Sequence, residues 1–334
     1  IAGGVDLLLI ETSQDILEVK AEILGIRSAC RKAGVDLPIQ AQVTLDLTGR
    51  MLLGTDISAV LGILEGMDVD VIGLNCSTGP EHMRESIRYL SENCRLPISC
   101  IPNAGLPLNV NGEAVYPMTP GAFSDNLLDF VDTFHINVVG GCCGTTPEHI
   151  RLLAENVKDK KVADRLPAEI SALASPIQAV PMQQEPAPFL IGERLNAQGS
   201  RKFKQALLQE DFDAMSVIAR EQVEYGAHGL DVCVAVTERT DEALAMQKLV
   251  KKLSLEVPVP LIIDSTELDV IETALRIAPG KCLVNSTNLE SGEEKARRVF
   301  SLARQFNAAV IMLTIDEKGM AKTAERKVEI AQRL

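Results

Sequence analysis

The chain has 334 residues, 46% of them hydrophobic and 24% charged, which is enough for one large or two medium globular domains. Its 46 acidic and 33 basic residues give a net charge of -13, so no basic stripe is available for a nucleic acid or an anionic membrane surface. The longest apolar runs, such as 5–10 and 308–313, are far shorter than the roughly 18 residues that a membrane helix needs. We therefore expect small molecules or protein domains as partners, and neither nucleic acid nor membrane.

The eight cysteines are too dilute for a disulfide scaffold, and two of them, Cys142 and Cys143, are adjacent. This usage fits the reduced thiols of the cytoplasm. The chain opens on Ile1 without a signal-peptide pattern, and a helical pattern over 323–334 stops without a capping residue. From these ends we expect a piece of a longer protein.

The first half alternates short apolar runs with amphipathic helical patterns, as parallel strands buried on both faces do. A helical pattern follows each run, except that a longer loop comes after Asn103. The predicted strands are 5–11, 39–45, 69–76, 98–103 and 136–143. The reactive side chains all fall at the ends of these strands, which is where a (β/α)8 barrel carries its active site. They are Glu11, Asn75, Cys76, Cys142 and Cys143.

Residues 166–188 are rich in Pro, Ala, Gln and Ser and lack periodicity, which predicts an interdomain linker. A second series of strands is predicted at 190–196, 229–234, 261–265, 282–287 and 310–316. The predicted fold is therefore α/β, with two (β/α)8 TIM-type barrels joined by a Pro-rich linker. Five strands are too few to close either barrel. We expect the C-terminal part of one barrel in 1–165 and the N-terminal part of another in 189–334.

Three thiols are predicted to converge over the mouth of the first barrel. Cys76 ends one strand and the Cys142–Cys143 pair ends another, and three thiolates with one open position make a reactive zinc site. Such a site lets a substrate thiol lose its proton at neutral pH while it stays nucleophilic. The alternative, a cysteine that is only a small buried hydrophobic residue, is favoured for each of the others. These are Cys30, Cys94, Cys100, Cys233 and Cys282.

The motifs G-L-N-C and G-G-C-C-G-T-T-P-E-H-I resemble the two signatures of the zinc-dependent homocysteine S-methyltransferase family. The resemblance implies that Cys76, Cys142 and Cys143 are zinc ligands and that the homocysteine sulfur takes the open position. It also implies that Glu11 faces the substrate amino group. From the residues alone, Glu11 is nearly as well explained as a cap of the following helix, and Asn75, a candidate homocysteine contact, has the same ambiguity.

Polar residues recur at the strand ends of the second half. An Asp or Asn side chain can pair with the aminopyrimidine edge of a pterin at two points, a task that suits Asp264 and Asn285. Taken singly, each of these residues is better explained as a helix cap, but four in series favour a binding site.

The run from G-E-R-L-N through I-D-S-T and V-N-S resembles the pterin-binding domain family. The resemblance implies pterin contacts from five residues, namely Glu193, Asn196, Asp231, Asp264 and Asn285. The sequence departs from the family at Cys233, where the common pattern has Asn, so a pterin contact from this position is not implied.

The two resemblances together imply the cobalamin-dependent methionine synthase family. In that family a methyl group passes from 5-methyltetrahydrofolate through cobalamin to zinc-activated homocysteine, giving methionine and tetrahydrofolate. Methylcobalamin is expected on a cobalamin-binding domain or subunit outside this chain, so the chain alone is expected to be inactive. A cobalamin-free homocysteine S-methyltransferase and a methyltransferase of the corrinoid iron-sulfur type each explain only one half. A non-catalytic folate- or zinc-binding fragment is the remaining alternative.

Overall fold

The computed structural model describes all 334 residues and divides into two compact units, Ile1–Ile170 and Ser171–Leu334. Each unit is built on one five-stranded parallel sheet with helices between successive strands. The division falls inside the segment predicted as a linker. None of the helices is long and apolar enough to cross a membrane.

The five strands of the first sheet lie side by side in the order in which they occur in the chain. In chain order the elements of this unit are β1 (Leu8–Ser13), α1 (Ile16–Ala33), β2 (Ile39–Val43), α2 (Ile57–Leu64), β3 (Val71–Asn75), α3 (Pro80–Asn93), β4 (Ile98–Ile101), β5 (Leu108–Val110), β6 (Glu113–Val115), α4 (Pro120–Phe134), β7 (Val138–Val139) and α5 (Pro147–Val157). The sheet order β1-β2-β3-β4-β7 confirms the five predicted strands. The long loop after Asn103 contains the antiparallel hairpin β5–β6.

The second unit repeats this arrangement. In chain order its elements are β8 (Ala172–Ala174), β9 (Ala179–Pro181), β10 (Ile191–Asn196), α6 (Arg201–Leu208), α7 (Phe212–Glu224), β11 (Gly229–Cys233), α8 (Glu242–Glu256), β12 (Leu261–Asp264), α9 (Leu268–Ile277), β13 (Leu283–Thr287), α10 (Glu293–Phe306), β14 (Ala309–Met312), β15 (Ile315–Asp316), β16 (Gly319–Met320) and α11 (Ala324–Arg333). Its parallel sheet has the order β10-β11-β12-β13-β14, again as predicted.

Part of the segment predicted to lack regular structure is an antiparallel hairpin, β8–β9. Its Leu173 is fully buried against Ile262 and Leu283 of the second sheet. Side chains two residues apart on a strand share a face, so Leu173 covers the same face that carries Asp264 and Asn285. The hairpin therefore fills the apolar end of this face and leaves the polar strand ends open.

Neither sheet closes on itself. The first has β1 and β7 as its edges, and the second has β10 and β14. The α/β class, the parallel sheets and the two units are as predicted, whereas the structure shows no closed barrel. Within each open sheet the C-terminal ends of the strands lie side by side, and the candidate residues lie at this edge.

Candidate functional sites

Three cysteine sulfurs meet at the C-terminal ends of β3 and β7. The Cys143 sulfur lies 3.7 Å from that of Cys76 and 3.9 Å from that of Cys142, and all three lie within 4.8 Å of one another. A disulfide would need about 2.05 Å, so the thiols are free. Tetrahedral zinc with Zn–S bonds of about 2.3 Å separates its sulfur ligands by about 3.8 Å. The thiol cluster therefore has the spacing of a zinc–thiolate site.

The backbone that follows β4 holds both sulfur-bearing loops. The Cys76 N–H donates to Ile101 O over 3.1 Å, and the Cys142 N–H donates to Pro102 O over 2.8 Å. The buried Asn103 accepts a hydrogen bond from the Cys143 N–H over 3.0 Å through its Oδ1. Because one short segment fixes both loops, sulfurs that are 67 positions apart in the chain are brought together.

Glycine allows the turn after β7 to fold tightly. A Cβ on Gly141 would lie 2.4 Å from the Thr145 side chain, whose hydroxyl donates to Cys142 O over 2.6 Å. Burial and the neighbouring thiols of Cys76 and Cys143 raise the pKa of Cys142 to about 12. As thiolates, the three sulfurs would repel one another strongly without a cation between them.

The end of β1 reaches this site through a bulge. Its pairing with β2 shifts register between Ile10 and Ser13, and Thr12 in between has a left-handed backbone with φ 59°. The fully buried Asn75 accepts from the Thr12 N–H and donates to Thr12 Oγ1, each over 2.8 Å. Bulges of this kind re-aim side chains next to active sites. Asn75 thus fixes the segment that carries the exposed Glu11.

The cap of the following helix excludes one of the two interpretations of Glu11. The cap of α1 is Asp15, which accepts a hydrogen bond from Leu17 N–H, and not Glu11. The carboxylate of Glu11 is therefore available at the rim of the first sheet. Both polar groups of the Asn75 amide are engaged with Thr12, which gives Asn75 a positioning role.

Replacing Asn75 by leucine is expected to lower the free energy of unfolding by about 2 kcal/mol, because the two hydrogen bonds between the buried amide and Thr12 are lost. The Thr12→Val change removes only the hydroxyl. The double variant should lose less than the sum of the two single losses, by about 1 kcal/mol, since the groups act as a pair. Urea unfolding of the four chains measures this, and strictly additive losses would show that the pair is not coupled.

A second cluster of polar side chains lies at the strand ends of the other unit. The Asn196 Nδ2 donates to Asp264 Oδ2 over 2.9 Å and to Asp231 Oδ2 over 3.2 Å. The Asn285 Nδ2 donates to Asp231 Oδ1 over 3.1 Å. Four of the five predicted residues therefore form one carboxylate–amide network across β10, β11, β12 and β13. The helices that follow have other residues at their N-cap positions, among them Ser200, which accepts a hydrogen bond from the Phe203 N–H, and Glu267.

The fifth predicted residue, Glu193, lies in a second bulge. The register of β10 against β11 shifts between Gly192 and Leu195. The buried Gln222 of α7 accepts the Arg194 N–H over 2.7 Å and fixes this bulge. Glu193 is exposed beside the network and is not among the residues joined within it.

Burial and the neighbouring charge of Asp231 raise the pKa of Asp264, although hydrogen bonds from Asn196 and Cys233 oppose the shift. Cys233 is itself buried, and burial, with the nearby Asp264 and Asp231 charges, raises its pKa to about 11. The thiol that departs from the family pattern is therefore a protonated neighbour of the network. Asp264 is a carboxyl group that can hold a proton more readily than an exposed aspartate.

This shift makes the stability of the second unit depend on pH. The folded chain binds the Asp264 proton above the ordinary pKa of 3.8, where the unfolded chain has lost it. The free energy of unfolding therefore decreases as pH rises through that interval, and the penalty persists above it. Relative to the wild type, Asp264→Asn should gain stability between about pH 3 and about pH 7.

The matched control is Asp213→Asn. Lys252 lowers the pKa of this exposed carboxyl, so its contribution to stability is present at neutral pH and is lost as pH falls. Relative to the wild type, the control should therefore lose stability as pH rises, by a small amount. Urea unfolding at several pH values measures both, and a constant difference between Asp264→Asn and the wild type would contradict the shift.

Two positioning residues were not among the sequence predictions. Asn103 follows β4 by two residues and ends the strand predicted at 98–103, so its position was a usable signal. Gln222 lies in the last turn of α7, and nothing in the sequence pattern separates it from other helical polar residues.

Comparison with known proteins finds two families, which match separate parts of the chain on either side of the division between the two units. Residues 1–157 match the homocysteine S-methyltransferase family, and residues 192–334 match the pterin-binding enzyme family. Methionine synthase of Mycobacterium tuberculosis is 43% identical over 335 residues, and that of Mycobacterium leprae is 42% identical over 340. Each alignment covers 99% of this chain and 28% of the relative.

Among solved structures, the carboxyl transferase domain of Rhizobium etli pyruvate carboxylase with pyruvate is similar at 12% identity and a TM-score of 0.23. That alignment covers 95% of this chain and 49% of the other, but the likeness is too weak to assign a fold. The sequence relatives are far closer. The chain is therefore similar to methionine synthases along almost its whole length, with one region that matches the homocysteine S-methyltransferase family and a second that matches the pterin-binding enzyme family.

Proposed function

We propose that this chain supplies the methyl-acceptor site and part of the methyl-donor site of a methionine synthase reaction. The acceptor, homocysteine, binds at the thiol cluster, and the donor, 5-methyltetrahydrofolate, binds at the carboxylate–amide network. The observation that carries the proposal is the convergence of three sulfurs within 4.8 Å in the region that matches the homocysteine S-methyltransferases.

Zinc fits the donor set, because three soft sulfur ligands at this spacing leave one tetrahedral position open. Cys76, Cys142 and Cys143 would hold it. When bound, zinc supplies a Lewis acid that keeps a substrate thiol deprotonated at neutral pH. The chain's own contribution is to fix the three sulfurs through the segment after β4.

The rim of the first sheet would orient the amino acid part of homocysteine. Glu11 carries the negative charge that an ammonium group needs, and the Asn75–Thr12 pair holds the bulge on which it lies. Orientation matters here, because displacement at a methyl carbon requires the attacking sulfur to be in line with the leaving group.

In the second unit, Asp264 and Asn285 would pair with the aminopyrimidine edge of the pterin. Asp231 accepts a hydrogen bond from Asn285, and Asn196 donates to both Asp231 and Asp264. The remaining proposed contacts are Glu193 and Asn196. The raised pKa of Asp264 suits a carboxyl group that shares a proton with a bound pterin. Over the whole reaction, the N5–methyl bond breaks and a sulfur–methyl bond forms, and the proton lost by the thiol balances the one gained at N5.

Cobalamin, held by a domain or subunit outside this chain, would carry the methyl group between the two sites. The chain spans about 28% of the length of its curated relatives, and we propose that each open sheet is part of a (β/α)8 barrel completed elsewhere. In this proposal 1–165 belong to the homocysteine barrel, 166–188 to the linker and 189–334 to the pterin barrel. The residues at their strand ends are arranged as such a barrel rim requires.

Calorimetric titration of homocysteine into the zinc-loaded chain tests the acceptor site. In buffers of different ionisation enthalpy we expect release of about one proton per homocysteine bound, since the thiol must ionise to bind zinc. Homoserine, which has a hydroxyl in place of the thiol, should release none. Equal behaviour of the two ligands, or no heat with homocysteine, would contradict the proposal.

A further inference from the structure

The turn that follows β3 and the turn that follows β7 share one sequence pattern. Residues 76–82 are C-S-T-G-P-E-H, and residues 143–149 are C-G-T-T-P-E-H. In both copies the proline begins the helix that follows, which is α3 or α5. His82 and His149 therefore occupy the same helical position, but His82 is exposed and His149 is only 5% exposed. The second copy holds a buried histidine that the proposed function does not use.

Both ring nitrogens of His149 are engaged. The Thr146 N–H donates to Nδ1 over 3.2 Å, and the Thr146 hydroxyl lies 2.9 Å from the same nitrogen. On the other side of the ring, Nε2 lies 3.0 Å from Met118 O. A ring nitrogen that accepts an N–H carries no proton, and a carbonyl oxygen can only accept. The two contacts therefore require a neutral ring with its proton on Nε2, which donates to Met118 O.

The contact to Met118 closes a circuit of hydrogen bonds around the thiol cluster. Met118 lies at the far end of the loop between β4 and α4, and its N–H donates to Ala104 O over 3.0 Å. The Ala104 N–H in turn donates to Cys143 O over 2.9 Å. The circuit runs from Cys143 through Ala104 and Met118 to His149, and it returns through Thr146 to the turn on which it began. His149 supplies the only side-chain link in this circuit.

We propose that His149 is a positioning residue of the thiol cluster. Its neutral ring ties the turn that carries Cys142 and Cys143 to the base of the loop between β4 and α4, and it thereby fixes the positions of two of the three sulfurs. Capping of α5 needs only the contact at Nδ1, so the contact at Nε2 is what extends the role to the loop. The proposal rests on the proposed function in so far as these sulfurs hold zinc.

Zinc affinity tests whether the contact at Nε2 positions the sulfurs. In His149→Asn the amide oxygen takes the place of Nδ1 and keeps the contact to Thr146, but the side chain is too short to reach Met118 O. Competition with a chromophoric chelator should show that this chain binds zinc about 10-fold more weakly than the wild type. The amide N–H of His149→Gln reaches as far as Nε2, so this variant should regain most of the lost affinity.

The matched control is His82→Asn, which makes the same change at the same position of the pattern but on an exposed side chain. It should leave the zinc affinity unchanged. A His149→Asn chain with the affinity of the wild type would mean that His149 only caps α5. A His149→Gln chain as weak as His149→Asn would mean that the contact to Met118 is not the cause. Either result would overturn the proposal.

A second measurement needs no metal. Without the His149 contact the base of the loop should open more often, so the Met118 and Ala104 amides of metal-free His149→Asn should exchange their hydrogens about 10-fold faster than in the wild type. The Ile72 N–H, which donates to Pro97 O over 3.1 Å in the same unit, reports any general loss of stability and should be accelerated less. Nuclear magnetic resonance follows each amide separately. Equal acceleration at all three amides would contradict a local role of His149.

The two measurements separate the two proposals. If the wild-type chain binds no zinc, the proposed function fails, and hydrogen exchange alone decides whether His149 holds the loop to the turn. If zinc binds but the Met118 and Ala104 amides exchange in His149→Asn as they do in the wild type, the role of His149 is overturned while the zinc site stands.

Discussion

Replacing Cys142 and Cys143 together by serine is expected to remove the zinc, from about one equivalent per chain to none. Serine hydroxyls stay protonated at neutral pH and are poor ligands for this ion, so Cys76 would be left alone. Since the metal would activate the acceptor, methyl transfer to homocysteine in the assembled enzyme should fall below detection. Metal analysis of the purified chain measures the first effect directly.

The control for this variant is Cys30→Ser. Cys30 is buried in α1, and its thiol is not among the three that converge. This variant should keep its zinc while losing some stability through the buried hydroxyl. Zinc that persists in the Cys142→Ser, Cys143→Ser chain would place the metal elsewhere and remove the basis of the acceptor site.

Replacing Asp231 by alanine is expected to weaken binding of 5-methyltetrahydrofolate by about 100-fold, or about 2.7 kcal/mol. Asp231 is 3% exposed and accepts from both Asn196 and Asn285. Without it, Asn285 loses its acceptor and Asn196 keeps only Asp264, so the pterin edge loses its preset partners. Calorimetric titration of the folate into the chain measures the effect.

Asp213→Ala is the matched control, because it removes the same charge from an exposed side chain of α7. It should leave the folate affinity unchanged. Equal affinities for Asp231→Ala and the wild type would mean that the network does not form the folate site, whatever its effect on stability.

The strands could be predicted because each is a short apolar run between turn signals. The positions of Cys76 and Asp264 at strand ends, and of Asp231 within its strand, followed from them. The residues at which the strands begin and end were less predictable. The run 136–143 gives only the strand Val138–Val139, because the chain then turns and its Cys142 N–H pairs with Pro102 O. A tertiary contact, and not local propensity, ends the strand.

Other features depended on contacts that no local pattern encodes. The hairpin that contains Leu173 lies in a Pro-rich segment without periodicity, and it is ordered by packing against Ile262 and Leu283. Tyr116 follows an exposed hairpin and lies against Gly144 only because the loop folds back. Asn75 was predicted as a substrate contact or a cap, and its engagement with Thr12 depends on a bulge that the sequence does not announce.

Zinc K-edge X-ray absorption of the chain tests the central claim most directly, because it counts the sulfurs around the metal. We predict three sulfur neighbours at about 2.3 Å in the zinc-loaded chain. Adding homocysteine should raise the count to four, and adding homoserine should leave it at three. A count that stays at three with saturating homocysteine, or a first shell dominated by nitrogen and oxygen, would contradict the assignment of the thiol cluster as the homocysteine site.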